Sequence, residues 1–122
     1  MRAMVLIRAD GAEPGSRPDG TWVVAMRRFN ADLVQAGILL ATERLHPSGD
    51  GVRIRPVGES HAQVMSTSAS AVSPVAGFWL WQVRSIEEAM EWARRAPDRH
   101  EGAIELEIRQ VIEPGEHPDA AR

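Results

Sequence analysis

The chain has 122 residues, 43% hydrophobic and 25% charged, the size and make-up of one globular domain that buries a core. A net charge of −3, from 14 basic against 17 acidic residues, argues against a nucleic-acid partner, which calls for a clustered basic surface to neutralise phosphates. The absence of cysteine excludes disulfides, thiolate nucleophiles and Cys-ligated metals, and because every basic residue is arginine there is no Schiff-base lysine either.

Met4 to Ala9 is short, rich in branched apolar residues and bounded by Asp10-Gly11, which predicts a first strand. Its apolar run, Met4 to Ile7, is too short for the hydrophobic segment of a signal peptide, and no later run is long enough to span a bilayer. A cytoplasmic protein without a membrane partner is therefore expected. Pro14, Gly15, Ser16 and Pro18 make a loop of the next stretch. Trp22, Met26, Phe29 and Leu33 then recur on one stripe of a helix spanning Thr21 to Ala36, with Asp19 or Thr21 as its cap and Gly37 at the left-handed position after its end.

Ile38 to His46 is expected to be a strand, followed by a turn at Pro47 to Gly51. Val52 to Val57 and Ala62 to Met65 form the arms of a hairpin around Gly58-Glu59, and Ser66 to Pro74 lacks any period and is expected to be a loop. Gly77 to Val83 is an aromatic strand. It leads into a helix capped by Ser85 and Glu88, with Ile86, Ala89, Met90 and Ala93 as its buried face and Pro97 as its stop. The last strand, Ile104 to Ile112, alternates Ile104, Leu106 and Ile108 with Glu105, Glu107 and Arg109.

The order β-α-β, hairpin, β-α-β predicts an α+β, ferredoxin-like sandwich over residues 1–113, with an antiparallel sheet and both helices on one face, followed by a polar tail at 114–122. Helices on one side leave the other sheet face to meet water or a second subunit, which is why a homodimer is expected. The apolar set of the last strand should face the helices, turning Glu105, Glu107 and Arg109 to the open side. There they form either a solvated face or, if a second copy covers them, the lining of a binding pocket.

Arg8, on the first strand, offers a forked contact to Glu107 or to an acidic ligand. Arg8 and Arg109 would hold an anionic group, with Glu105 or Glu107 as an orienting group or second base. His46 is the candidate for proton transfer, since imidazole alone titrates near neutrality unaided and Pro47 holds it extended at an element boundary. A hydrogen-bonding role beside a turn is the alternative. His61, His100 and His117 fall in turns or the tail. No pair of ligands has metal spacing, and no metal or cofactor is expected. Trp79 and Trp81 share one strand face and Phe78 and Leu80 the other; one pair packs on the helices, and the other looks to the open side, where an aromatic can stack on a flat ligand.

Several segments in order carry a resemblance: Gly37-Ile38-Leu39-Leu40 leading to Leu45-His46-Pro47-Ser48, the strand Gly77-Phe78-Trp79-Leu80-Trp81, the helix pairs Glu88-Ala89 and Glu91-Trp92, and the ending Glu107-Ile108-Arg109. Together they resemble the YCII-related family, in the subgroup named for a DGPF motif. The resemblance covers the chain from its first strand to Arg109 and implies a dimeric α/β barrel. It marks the segment around His46 as a recurring family feature, and it implies either lyase- or isomerase-like chemistry on small ring compounds or an accessory, regulatory role, since relatives are associated with alternative sigma factors. The chain departs from the family at the motif itself. Met65-Ser66-Thr67-Ser68, followed by Ala69 to Val75, stands where relatives carry the aspartate, the turn glycine and proline and the charges after them. Either the family's site has been lost, or another carboxylate such as Glu107 serves.

Overall fold

The computed structural model describes residues 1–10, 20–46, 48–58, 61–66, 75–97 and 103–116. Its elements run β1 (Arg2–Asp10), α1 (Gly20–Gln35), β2 (Leu39–Arg44), a 3-10 turn (Ser48–Asp50), β3 (Val52–Val57), β4 (His61–Ser66), β5 (Val75–Gln82), α2 (Ile86–Ala93) and β6 (Ala103–Gln110). Four strands form one antiparallel sheet in the order β2-β5-β1-β6, and β3 with β4 forms a separate two-stranded sheet. The result is an α+β architecture compatible with a ferredoxin-like fold, with a hairpin inserted between the second and third strands of the main sheet.

Period-two alternation fixes the two faces of that sheet. Ala3, Val5, Trp79, Trp81 and Val83 are buried together with Phe29 and Leu33 of α1 and Ala89 of α2, so both helices cover the same face. The Phe29 ring meets Trp79 edge-on at 5.5 Å, Trp81 at 6.4 Å and Trp92 of α2 at 6.5 Å between centroids. Each fully buried aromatic removes a large apolar area from water, and edge-to-face contacts add about 0.5–1.5 kcal/mol per pair. The indole N–H of Trp79 donates to Asn30 Oδ1 of α1 at 2.8 Å, whereas Trp81 Nε1 has no acceptor among the described residues, an orphaned donor that costs about 1–3 kcal/mol.

The stripe expected on α1 is present: Phe29 and Leu33 are buried and Met26 packs against the core. Thr21 lies inside that helix, which begins at Gly20, and so does not cap it; Asp19 lies outside the described residues. At the other end Gly37 takes φ 75°, Ile38 N–H donates to the Leu33 carbonyl at 2.9 Å and Gly37 N–H to that of Val34 at 3.0 Å. This is the Schellman arrangement, and the hydrophobic contact that accompanies it is made by Leu33 and Ile38, both in the core.

Ser85 caps α2 as expected, accepting from Glu88 N–H at 3.1 Å. The Glu88 carboxylate reaches back one residue further than in a capping box, to Arg84 N–H at 2.8 Å. Two expectations for α2 need correction. Met90 is exposed, because its position points about 100° away from Ala89, and Trp92 takes the inward place beside Ala93 and Ala96. The helix also stops at Ala93, before Pro97, in a turn where Arg95 and Ala96 N–H bond to the carbonyls of Trp92 and Ala93.

The hairpin arms form as expected, although β4 starts at His61, opposite Val57, and includes Ser66. His61 is therefore a strand residue and not a turn residue. Pro47, Glu59, the 67–74 part of the expected loop, His100 and His117 lie outside the described residues. No helix among the described residues is long and apolar enough to cross a membrane.

Gly77 shows why a small residue opens the aromatic strand: a Cβ there would stand 2.7 Å from the Glu43 carbonyl oxygen of β2. Gly77→Ala should force the β2–β5 pair apart and cost about 1–3 kcal/mol in urea unfolding. Gly49→Ala, where an added Cβ meets nothing within 4 Å, should stay within about 0.5 kcal/mol of the parent. Asn30→Ala strands the Trp79 donor and should cost about 1–3 kcal/mol in the same measurement, with a change in tryptophan fluorescence.

Candidate functional site

The helices take one face of the four-stranded sheet, and no helix among the described residues covers the other. Residues opposite one another in register share a face, and the pairs Met4–Leu80 and Leu6–Phe78 across β1–β5 lie on the open side with Met4–Arg109, Leu6–Glu107 and Arg8–Glu105 across β1–β6. Met4, Leu6, Phe78 and Leu80 are half-buried, and they make an apolar floor through the two central strands. Glu43 of β2 borders it on one side, opposite Phe78, and the β6 charges border it on the other.

Arg8 Nε donates to Glu107 Oε1 at 2.8 Å, the two side chains being 23% and 36% exposed. Arg109 Nε stands 3.9 Å from the other oxygen of the same carboxylate, with most of its side chain in solvent. Glu107 is thus held between two guanidinium groups, and the Arg8–Glu107 contact is the internal pair of the two alternatives the sequence left open. Glu105 and Glu43 are exposed and form no ion pair with the described residues. The arrangement offers a cation (Arg109) with free donors beside an apolar floor, which is the chemistry for an anionic group on a flat or apolar body.

Two site expectations are corrected. Trp79 and Trp81 line no ligand surface: their strand parity turns them to the helices, where both are almost fully buried, and Phe78 and Leu80 take the open side instead. His46 and Glu107 do not converge within one chain. His46 follows β2 at one edge of the sheet and Glu107 sits on β6 at the other, three strand spacings or about 14 Å apart across the sheet and displaced along it as well. His46 is exposed and makes no hydrogen bond or ion pair with the described residues. No group of three or more His, Asp or Glu able to hold a metal occurs among the described residues.

Sequence reasoning missed Glu43, Met4 and Leu6. Met4 and Leu6 share parity with Arg8 and were within reach of a period-two reading. Glu43 was not, because a register shift between Leu39 and Ala41 breaks the parity of β2.

A second ion pair borders the site at the far end of β1. Arg2 donates from Nε to both Glu113 oxygens, at 3.1 and 3.0 Å, and from Nη2 to Oε1 at 2.7 Å, tying β1 to the segment after β6. Hydrogen bonding from Arg2, more than its charge alone, holds the Glu113 carboxyl below the usual carboxylate range, and the Arg84 N–H does the same for Glu88. A carboxylate lowered in the folded state adds stability that is fully present above its unfolded pKa and is lost as pH falls through the folded one. Stability should therefore drop on acidification through and below the ordinary carboxylate range. Glu113→Gln combined with Glu88→Gln should flatten that part of a urea-midpoint-against-pH curve, leaving it unchanged near neutrality in slope.

No protein-family model matches the chain, and no curated protein matches it.

Proposed function

We propose that the protein is a YCII-like homodimer that binds a small anionic ring compound, without a cofactor, in a chamber enclosed between the open sheet face and a second copy. One observation carries this reading: a half-buried apolar floor of Met4, Leu6, Phe78 and Leu80 lies beside an Arg8–Glu107–Arg109 cluster. An antiparallel sheet can leave one face in water, but an apolar outer face favours a cover, and a symmetric second copy is the usual form of soluble oligomer. Covering also removes water from the ionic rim, which strengthens each charge there toward a ligand. Arg109 grips the anionic group, Arg8 stays on Glu107 as its support, and the apolar body lies on Phe78 and Leu80. Where the bound compound is also converted, His46 moves the proton. It does so from the edge of the sheet or across the two-fold axis, since the Glu107 of its own chain is out of reach.

A non-enzymatic interaction module is the second reading. It is favoured by Val24 and Val34, which stand exposed on the outer side of α1 away from the open sheet face.

The test is a thermal-shift panel of small aromatic and alicyclic carboxylates, with sedimentation to fix the oligomeric state. A dimer is expected, with at least one member raising the melting temperature. Arg109→Ala should weaken that member about tenfold or more, as loss of a charged hydrogen-bonding partner does. His46→Ala should keep the binding and lose only turnover. A monomer with no response across the panel overturns the proposal in favour of the interaction module.

A further inference from the structure

The dimer reading above is the basis for the following step, which names the element of the second copy that meets the charged rim. We infer that the β3–β4 ribbon is an arm that crosses to the second copy and lies against the Glu43–Glu105 end of its sheet. β3 reads Val52-Arg53-Ile54-Arg55-Pro56-Val57, so alternation gives one face Val52, Ile54 and Pro56 and the other Arg53 and Arg55. The register sets Ser66, Val64 and Ala62 opposite the first three, residues that are small or apolar in sequence. β3 is therefore amphipathic, yet Val52 and Ile54 are 63% and 60% exposed and the ribbon pairs with no strand of the main sheet. A two-stranded ribbon alone is marginal in water and needs a third layer or strand to back it.

Charge selects the cover. The two strands of the ribbon carry Arg53 and Arg55 and no carboxylate, while the exposed carboxylates Glu43 and Glu105 lack an ion-pair partner among the described residues of their own chain. Position agrees with charge. The ribbon leaves the sheet after Arg44, which pairs with Gly77, and so springs from the end where β1 carries Arg8 and β6 carries Glu105. In a two-fold pair whose axis runs along the strands, both copies have this end on the same side. Each arm then stands beside the other copy's Glu43 and Glu105. Its apolar β3 face packs over that copy's Leu6, and Arg53 and Arg55, which alternation places on the ribbon's far face, bend their long stems around its edges to the carboxylates at the sheet margins. The arm closes the chamber at the end where the ionic cluster sits.

The cysteine-free chain makes the test clean. Two single variants, Arg55→Cys and Glu105→Cys, one of them tagged to shift its gel mobility, are mixed, allowed to exchange and oxidised. A disulfide between the two variants requires different chains. It should form about tenfold or more faster than between Arg55→Cys and the control Val34→Cys on the outer side of α1, because docking raises the effective concentration of the first pair. Arg53→Glu with Arg55→Glu should weaken the dimer about tenfold or more in sedimentation, and adding Glu43→Arg with Glu105→Arg should restore it. A parent protein that sediments as a monomer overturns the dimer reading and the arm with it. A dimeric parent overturns the arm alone if its cross-linking matches the control and the charge reversals leave its dissociation constant unchanged.

Discussion

Four aromatic side chains meet where the two helices touch the sheet. Trp79 and Trp81 project from one face of β5, Phe29 rises from α1 between them, and Trp92 of α2 closes the group. Because the two tryptophans are two residues apart on a strand, they point the same way, and whichever face they choose becomes the buried one. Everything else in the architecture is arranged around that choice. It sends Ala3 and Val5 inward and Arg8 outward on β1, leaves Phe78 and Leu80 on the far side, and gives the sheet one helix-covered face and one face without a helix among the described residues. The hydrogen bond from Trp79 to Asn30 then fixes how α1 sits over the pair.

The open face is chemically divided along the strands. Its centre is apolar, since the two inner strands contribute Met4, Leu6, Phe78 and Leu80, and its margins are ionic, since the edge strands contribute Glu43, Glu105, Glu107 and Arg109. Such a layout, apolar within and charged at the rim, is the ordinary build of a protein–protein interface and of a ligand chamber alike. Placing Glu107 between Arg8 and Arg109 fixes the direction of a carboxylate on this face.

Periodic segments were legible in the chain and aperiodic placements were not. Met26, Phe29 and Leu33 of the α1 stripe and the alternation of β6 each follow one face of one element, so local spacing was enough to place them. The Gly37 turn and the Ser85 cap were legible for a different reason: each rests on a backbone need that few residue types meet. What could not be read were particular placements set by how two elements meet. The side chosen by Trp79 and Trp81 depends on where α1 comes down. The distance from His46 to Glu107 depends on strand order, which puts their strands on opposite edges although the same β-α-β pattern is compatible with other orders. The parity of Glu43 depends on a bulge opposite Leu80. Met90 lies about 100° from Ala89 and Trp92 about 60° on the other side, and the bulk of the indole, reaching Phe29, takes the inward place.

β1 is the first strand in the chain and also an inner one, bonded on both sides. Val5 lies between Trp79 and Ile108, so neither neighbour exists until far more of the chain has been made. Contacts this distant in sequence carry a large loop-closure entropy and slow the assembly of a domain compared with a helical bundle of equal size. During synthesis β1 must therefore wait with both of its hydrogen-bonding edges vacant. The four-stranded sheet is complete only once β6 has been made, so its assembly joins the two ends of the domain.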